Sequence, residues 1–360
     1  MASPDTLPNV SLPPAAGLDP RAVCRNGVPP SAQGVLALAG LLHHCAGGRL
    51  KLLGQFSQLP PDALDTSADT VIYRAMCHTS PDCDKVVLDL VLAPAKTTSI
   101  HERTPTVYLV SQTADISAQP ATLAATTTKA TVVYSVGKTA AIVPNDYLYE
   151  SRGFALSPNT TYALELHSSD QARVLAATIW ERSRTMLSAS SDVVALDLSR
   201  LRRGGPIYDA DNADLLASIN TMWKRGGRTL IRWSRTDGSY TSRASATAAN
   251  LFDQTLTAWG AQNPGFFVYP GDAGNLVGAA DPVICWAYAG LSAAGADGTI
   301  TFRRNGATIT DVVVSATTGY YSNSATLNSA NASDKVDILV AGNGTQSIRV
   351  YAAGMFEFVT

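Results

Sequence analysis

The chain has 360 residues, with 27 Lys plus Arg against 29 Asp plus Glu, a formal charge of −2, and only 16% charged residues. That balance leaves no basic surface for a nucleic-acid backbone and no polybasic run for an anionic membrane. Few charges among many Ala, Ser, Thr, Gly and Val residues suit a surface packed against neighbours, and the length suits two domains.

Residues 1–22 carry Pro4, Pro8, Pro13, Pro14 and Pro20 and read as an extended arm, because proline blocks helix and sheet hydrogen bonding. Val10, Leu12, Leu18 and Val23 are spaced along it as anchors for a groove, so the arm is expected to dock on a neighbouring subunit. The same segment lacks a charged head before a long apolar core, so no signal peptide is expected. No run reaches the length that spans a bilayer.

SAQGVLALAGLLHHCAGG (31–48) predicts a helix capped by Ser31 and ended by Gly47 and Gly48, with Val35, Leu38, Leu41, Leu42 and Cys45 on one stripe. DNADLLASINTMWKRGG (211–227) repeats that plan, and a further helix is expected from Ser245 to about Trp259. Strands are expected at 84–94, 104–111, 130–136, 161–167, 172–181, 332–342 and 346–359. TITFRRNGATITDVVVS (299–315) holds two β-rich runs that meet at Asn305-Gly306, a pair suited to the positive φ values of a type I′ hairpin turn.

Two phrases recur in the same order. LLHHCAGGRLKLL (41–53) matches TMWKRGGRTLIRW (221–233), and RVLAATIWE (173–181) matches RVYAAGMFE (349–357). A third echo joins DTVIYRA (69–75) to DPVICWA (281–287). The pattern indicates a diverged tandem duplication. The expected fold class is mainly β with a few helices. It comprises two tandem units, each a helix leading into an antiparallel β-sandwich of jelly-roll or immunoglobulin-like kind. The expected limits are 23–187 and 203–360, joined by a linker at 188–202.

Candidate chemistry is sparse. There is no GxSxG, GxxxxGK[ST], HExxH or paired CxxC, and the glutamates are Glu102, Glu150, Glu165, Glu181 and Glu357 alone. Glu181 and Glu357 end the repeated phrase and favour a structural role, such as pairing with an Arg at a sheet end. His43, His44, Cys45, Cys77, His78 and Cys83 are zinc-ligand types, but adjacent histidines diverge on a helix and Cys45 lies on an apolar stripe. The cysteines number five at irregular spacing, so no disulfide framework is implied. No cofactor, metal or catalytic residue is expected, and the chain is read as a non-enzyme.

Binding candidates remain. SRLRRGG (199–205), with Arg202 and Arg203, can grip an acidic neighbour. Tyr147 and Tyr149 in YLYESRGF (147–154), and Tyr320 and Tyr321 in GYYSNS (319–324), occupy Tyr-rich, loop-like runs that could touch glycan. The plainer reading leaves them covering sandwich edges.

The Pro-rich arm, the tandem helix-plus-sandwich units, the low charge and phrases such as LRRGGPIYDADNADLLASINTMWKRGGRTLIRW resemble virion structural proteins of tailed bacteriophages. The resemblance implies assembly into a capsid or tail, as head decoration, head spike or tail component. The implied partners are other virion proteins and copies of the chain itself, with no nucleic acid and no membrane. The implied location is the virion, after synthesis in the host cytoplasm. A carbohydrate-binding receptor-recognition protein of the virion, touching host surface glycan, is the alternative.

Overall fold

The computed structural model describes residues 49–57, 69–81, 83–93, 104–133, 148–169, 172–183, 229–234, 240–251, 282–327 and 336–357. The arm, the linker and the helices expected at 31–48 and 211–227 lie outside them. Among the described residues all regular structure is strand.

Four antiparallel sheets result. Sheet one runs β1 (Arg49–Ser57), β9 (Arg173–Ser183), β3 (Cys83–Ala93), β7 (Leu148–Phe154). Sheet two runs β2 (Thr70–His78), β8 (Thr161–Ser169), β4 (Thr106–Asp115), β5 (Thr122–Leu123), with β6 (Thr127–Val133) also on β4. Sheet three runs β10 (Thr229–Ser234), β18 (Ile348–Glu357), β13 (Pro282–Leu291), β16 (Gly319–Thr326), with β11 (Thr241–Arg243) also on β18. Sheet four runs β12 (Ala249–Asn250), β17 (Val336–Ala341), β14 (Gly298–Arg304), β15 (Ala307–Val314).

Alternating side chains decide which faces meet. Val86, Leu88, Leu90 and Leu92 of β3 share one buried core with Val107 and Leu109 of β4 and Leu164 and Leu166 of β8, so sheets one and two enclose it. Cys285, Ala287 and Ala289 of β13 likewise meet Ile300, Phe302, Ile338 and Val340 between sheets three and four. Each fully buried Val, Leu, Ile or Phe contributes roughly 1.5–3 kcal/mol.

The repeated phrase has a structural meaning. β9 lies between β1 and β3, and β18 lies between β10 and β13. The registers agree pair by pair: Val86 faces Glu181 as Val283 faces Glu357, and Leu90 faces Ala177 as Ala287 faces Ala353. Val91 faces Ala176 and Leu92 faces Val174, which leaves Leu175 bulged; Tyr288 faces Ala352 and Ala289 faces Val350, which leaves Tyr351 bulged. The variable residue of RVxAA is therefore the extra residue of a β-bulge in both places. A second shared irregularity lies between Leu52 and Gly54 opposite Trp180 and Ile179, and between Thr229 and Ile231 opposite Phe356 and Met355.

Three expectations need correction. DPVICWA does not correspond to DTVIYRA. Its strand, β13, takes the place of β3, so its counterpart is DKVVLDL (84–90), and β2 lies in the other sheet. LYESRGF (148–154) and GYYSNS are not loops: they lie in β7 and β16, edge strands in equivalent places. The start of the helix expected from Ser245 is not helical. Thr247 N–H donates to Ser245 Oγ at 3.1 Å, Ala249 and Asn250 pair with Val340 and Leu339, and Leu251 N–H donates to the Ile338 carbonyl at 2.8 Å. The hairpin at Asn305-Gly306 forms as expected, with φ of 50° and 85° and Arg304 facing Ala307.

The sheets stack one, two, three, four. Met76 and Ala163 on the outer face of sheet two, with Ala121, meet Ile284, Trp286, Tyr320, Ala352 and Phe356 on the outer face of sheet three. The repeats thus pack head to tail, second sheet of one against first sheet of the other. Sheet four ends the stack with a polar face, on which Arg303 grips Asp337 at 2.8 and 2.6 Å and Thr301 donates to Asp311 at 2.6 Å.

Candidate functional site: the seam between sheets two and three

Two sets of contacts hold the seam. The first comes from the turn after β4. Gln119 Nε2 donates to the Ser322 carbonyl at 2.8 Å, Ser322 N–H donates back to Gln119 Oε1 at 2.9 Å, and Ala121 N–H donates to the Tyr320 carbonyl at 2.7 Å. β16 is an edge strand, so this turn satisfies backbone groups that an edge would otherwise leave open. Gly319 makes the approach possible, since a Cβ there would lie 2.7 Å from Pro120 Cβ.

The second set is charged and aromatic. Strand alternation puts Ala163, Glu165 and His167 of β8 on the outer face of sheet two, opposite core residues Tyr162, Leu164 and Leu166. Arg74 Nε donates to Glu165 Oε1 at 2.9 Å, and both side chains are mostly buried. The Arg74 guanidinium carbon sits 4.6 Å from the Tyr288 ring centre and 5.5 Å from that of Tyr351, both on sheet three. A cation over an aromatic face, partly desolvated, contributes roughly 1–2 kcal/mol. The rings continue outward: Tyr288 meets Tyr320 at 4.7 Å and Tyr351 at 5.3 Å, Tyr351 meets Tyr240 at 5.5 Å, and Arg349 lies 4.9 Å from the Tyr240 ring centre.

His167 closes the chain at the other end. Its Nδ1 lies 3.2 Å from Asp69 Oδ1, its Nε2 lies 3.5 Å from Glu165 Oε2, and its ring stacks on Tyr108 at 4.7 Å. Tyr108 OH donates to the other oxygen of Asp69. Burial acts to lower the His167 pKa, but Glu165 and Asp69 outweigh it and hold the value above the ordinary one. Burial acts to raise the Glu165 carboxyl, but His167 and Arg74 outweigh it and hold it below the ordinary range. Burial and the bond to Asp69 push Tyr108 up to about 12.

The sequence-predicted residues fall elsewhere. Val10, Leu12, Leu18, Arg202, Arg203 and Tyr147 lie outside the described residues. Tyr320 and Tyr321 are each 1% exposed, which removes them as glycan contacts: Tyr320 is seam core, and Tyr321 packs inward and meets Ser315 Oγ at 2.6 Å. Tyr149 donates its hydroxyl to Asp89 at 2.9 Å. Its place in the repeat is that of Tyr320, since Tyr149 faces Val91 as Tyr320 faces Tyr288.

Cys77 and Cys83 are buried among apolar side chains of the first core. His78 Nε2 lies 3.1 Å from Asn159 Oδ1 and its Nδ1 lies 3.0 Å from Thr161 Oγ1, so both ring nitrogens are hydrogen-bonded. His43, His44 and Cys45 lie outside the described residues, among which no group of three ligand types could hold a metal. Glu181 is 1% exposed and accepts the Ser80 N–H through both oxygens, at 3.1 and 3.0 Å.

Sequence reasoning missed Arg74, Glu165, His167, Tyr288 and Tyr351. Glu165 and His167, two residues apart in TYALELH, share one strand face, but that alternation is also the pattern of an ordinary solvent-facing strand, so it did not single them out.

No protein-family model matches the sequence, and no curated protein matches it. Among solved structures the chain is similar to the receptor-binding domain of spike protein P1 from bacteriophage PM2, at 7% identity and a TM-score of 0.25, over 39% of this chain and 98% of that one. It is also similar to the tandem CBM22-1–CBM22-2 domain of Paenibacillus barcinonensis Xyn10C, at 9% identity and a TM-score of 0.21, over 86% of this chain and 98% of that one. Likenesses this distant carry no statement about what the chain does.

Proposed function

We propose that each half is a jelly-roll β-sandwich, and that the chain is a non-enzymatic structural protein of a tailed-bacteriophage virion. It docks on the particle through its arm and sandwich units and decorates or stabilises the head or tail. Its partners in this reading are other virion proteins and copies of itself. The strand orders support the jelly-roll assignment. With the two-residue β5 left out and β11 counted with β10, since both pair with β18, each half has eight strands: one sheet runs first, last, third, sixth and the other second, seventh, fourth, fifth.

One observation carries the structural role. The two repeats are joined across a buried apolar seam, clamped at one side by Gln119 and at the other by Arg74. A joint of that kind suits a rigid building block better than two modules that close on a ligand. The phage resemblance of the arm and of the Arg-rich phrases supplies the virion. The glycan alternative has lost Tyr320 and Tyr321 to burial.

Quantitative mass spectrometry of gradient-purified particles from the phage that encodes the chain tests this reading, together with antibody labelling under the electron microscope. Stoichiometric presence and labelling at one fixed place are expected. Absence from particles, or release of reducing sugar from host envelope material by the purified protein, would overturn it.

A further inference from the structure

Asp69, His167, Glu165 and Arg74 form an unbroken chain of charged groups that ends on rings of the other repeat. With His167 protonated, each carboxylate stands beside a cation at both Asp69 and Glu165. With His167 neutral, Arg74 is the one cation left among these four groups, so the cluster carries an excess negative charge. Among the described residues, the other groups facing the cluster do not correct this. Tyr108 from β4 and Tyr288, Tyr320 and Tyr351 from across the seam are phenols, and burial raises the first three. Arg349 is engaged over Tyr240.

We propose that His167 is a pH-sensitive latch of the seam between the two repeats. In mild acid its protonated ring balances Asp69 and Glu165 and leaves Arg74 seated over Tyr288 and Tyr351. In mild alkali the ring loses its charge, Glu165 and Asp69 repel each other, and the docking of the repeats loosens. The sign follows from linkage. A group whose pKa is raised by folding contributes stability that is fully present below its unfolded value and is lost as pH rises through its folded value. His167 is raised, so the seam is tighter on the acidic side. Histidine is the side chain whose ordinary pKa, about 6.5, places this change near neutral pH.

The test uses the full chain. NMR titration of the histidine rings, with the His167 signal assigned by its loss in His167→Gln, is expected to give a pKa above the ordinary value. Asp69→Asn should move it down, and Arg74→Gln should move it further up by leaving Glu165 to act on the ring alone. Asp69 is half exposed, with 52% of its side chain in solvent, so that variant keeps the test usable if His167→Gln does not fold.

Hydrogen exchange of 348–357, corrected for the intrinsic effect of pH, reads the seam itself. Protection of this strand should be lower at pH 8 than at pH 6 in the wild type, and the difference between the two values should be smaller in Asp69→Asn. An ordinary or lowered His167 pKa, insensitivity to both substitutions, or protection that does not change with pH would overturn the latch.

Discussion

Substituting Gly319 by Ala tests the first clamp of the seam. Gly319 opens β16 with ordinary strand backbone, so its lack of a side chain is a matter of space rather than of φ. A methyl group there would stand 2.7 Å from Pro120 Cβ and 3.2 Å from Pro120 Cγ. Carbon atoms in comfortable contact are about 3.5–4.0 Å apart, so the proline must retreat by roughly 1 Å. Its ring is tied to the backbone and cannot swing aside, and the retreat pulls Gln119 and Ala121 away from Ser322 and Tyr320.

Overpacking of this kind costs about 1–3 kcal/mol. The exposed Gln119 bonds add at most about 1 kcal/mol. Urea unfolding of the full chain reads the loss, and a double-mutant cycle with Pro120→Gly assigns it. Removing the proline ring should restore most of the stability lost by Gly319→Ala, with a coupling of about 1 kcal/mol or more. A neutral Gly319→Ala, or the same loss in the Pro120→Gly background, would refute the reasoning.

Gly306→Ala should cost about 1 kcal/mol in the same assay, because φ of 85° is strained for a side chain although nothing lies within 4 Å; no loss would contradict the type I′ turn. Glu165 is depressed by folding, so its contribution is present above its unfolded value and lost as pH falls through its folded one; Glu165→Gln should flatten the acid limb of Tm against pH. Deleting residues 2–20 should leave the purified protein's Tm nearly unchanged while weakening incorporation into particles; normal incorporation would count against the arm as an assembly device.

The strands with a buried face were legible because alternation is local. DKVVLDLVLA, TYALELHSS and the Asn305-Gly306 hairpin announce themselves within about ten residues. The RVxAA echo was legible as a repeat, but its cause was not, since a bulge is visible only against the neighbouring strand. YLYESRGF and GYYSNS looked like loops because edge strands carry polar residues on one face and, in β16, bury tyrosines on both.

The third echo misled because Asp-x-Val-Ile opens two strands that sit in different sheets. The Ala-rich start at Ser245 suggested helix, and pairing with β17 overrode that propensity. The seam was the least legible feature. Arg74 meets Tyr288 and Gln119 meets Ser322 across about two hundred residues, and nothing local in either sequence names its partner.

The docking of the two repeats as one body is tested most directly by residual dipolar couplings of backbone amides in solution, fitted separately for 70–183 and 241–357. One shared alignment tensor, with the same magnitude and orientation for both sets, is expected of repeats locked across the seam. Two tensors of different magnitude would mean that the repeats move independently, and would contradict the stacked architecture.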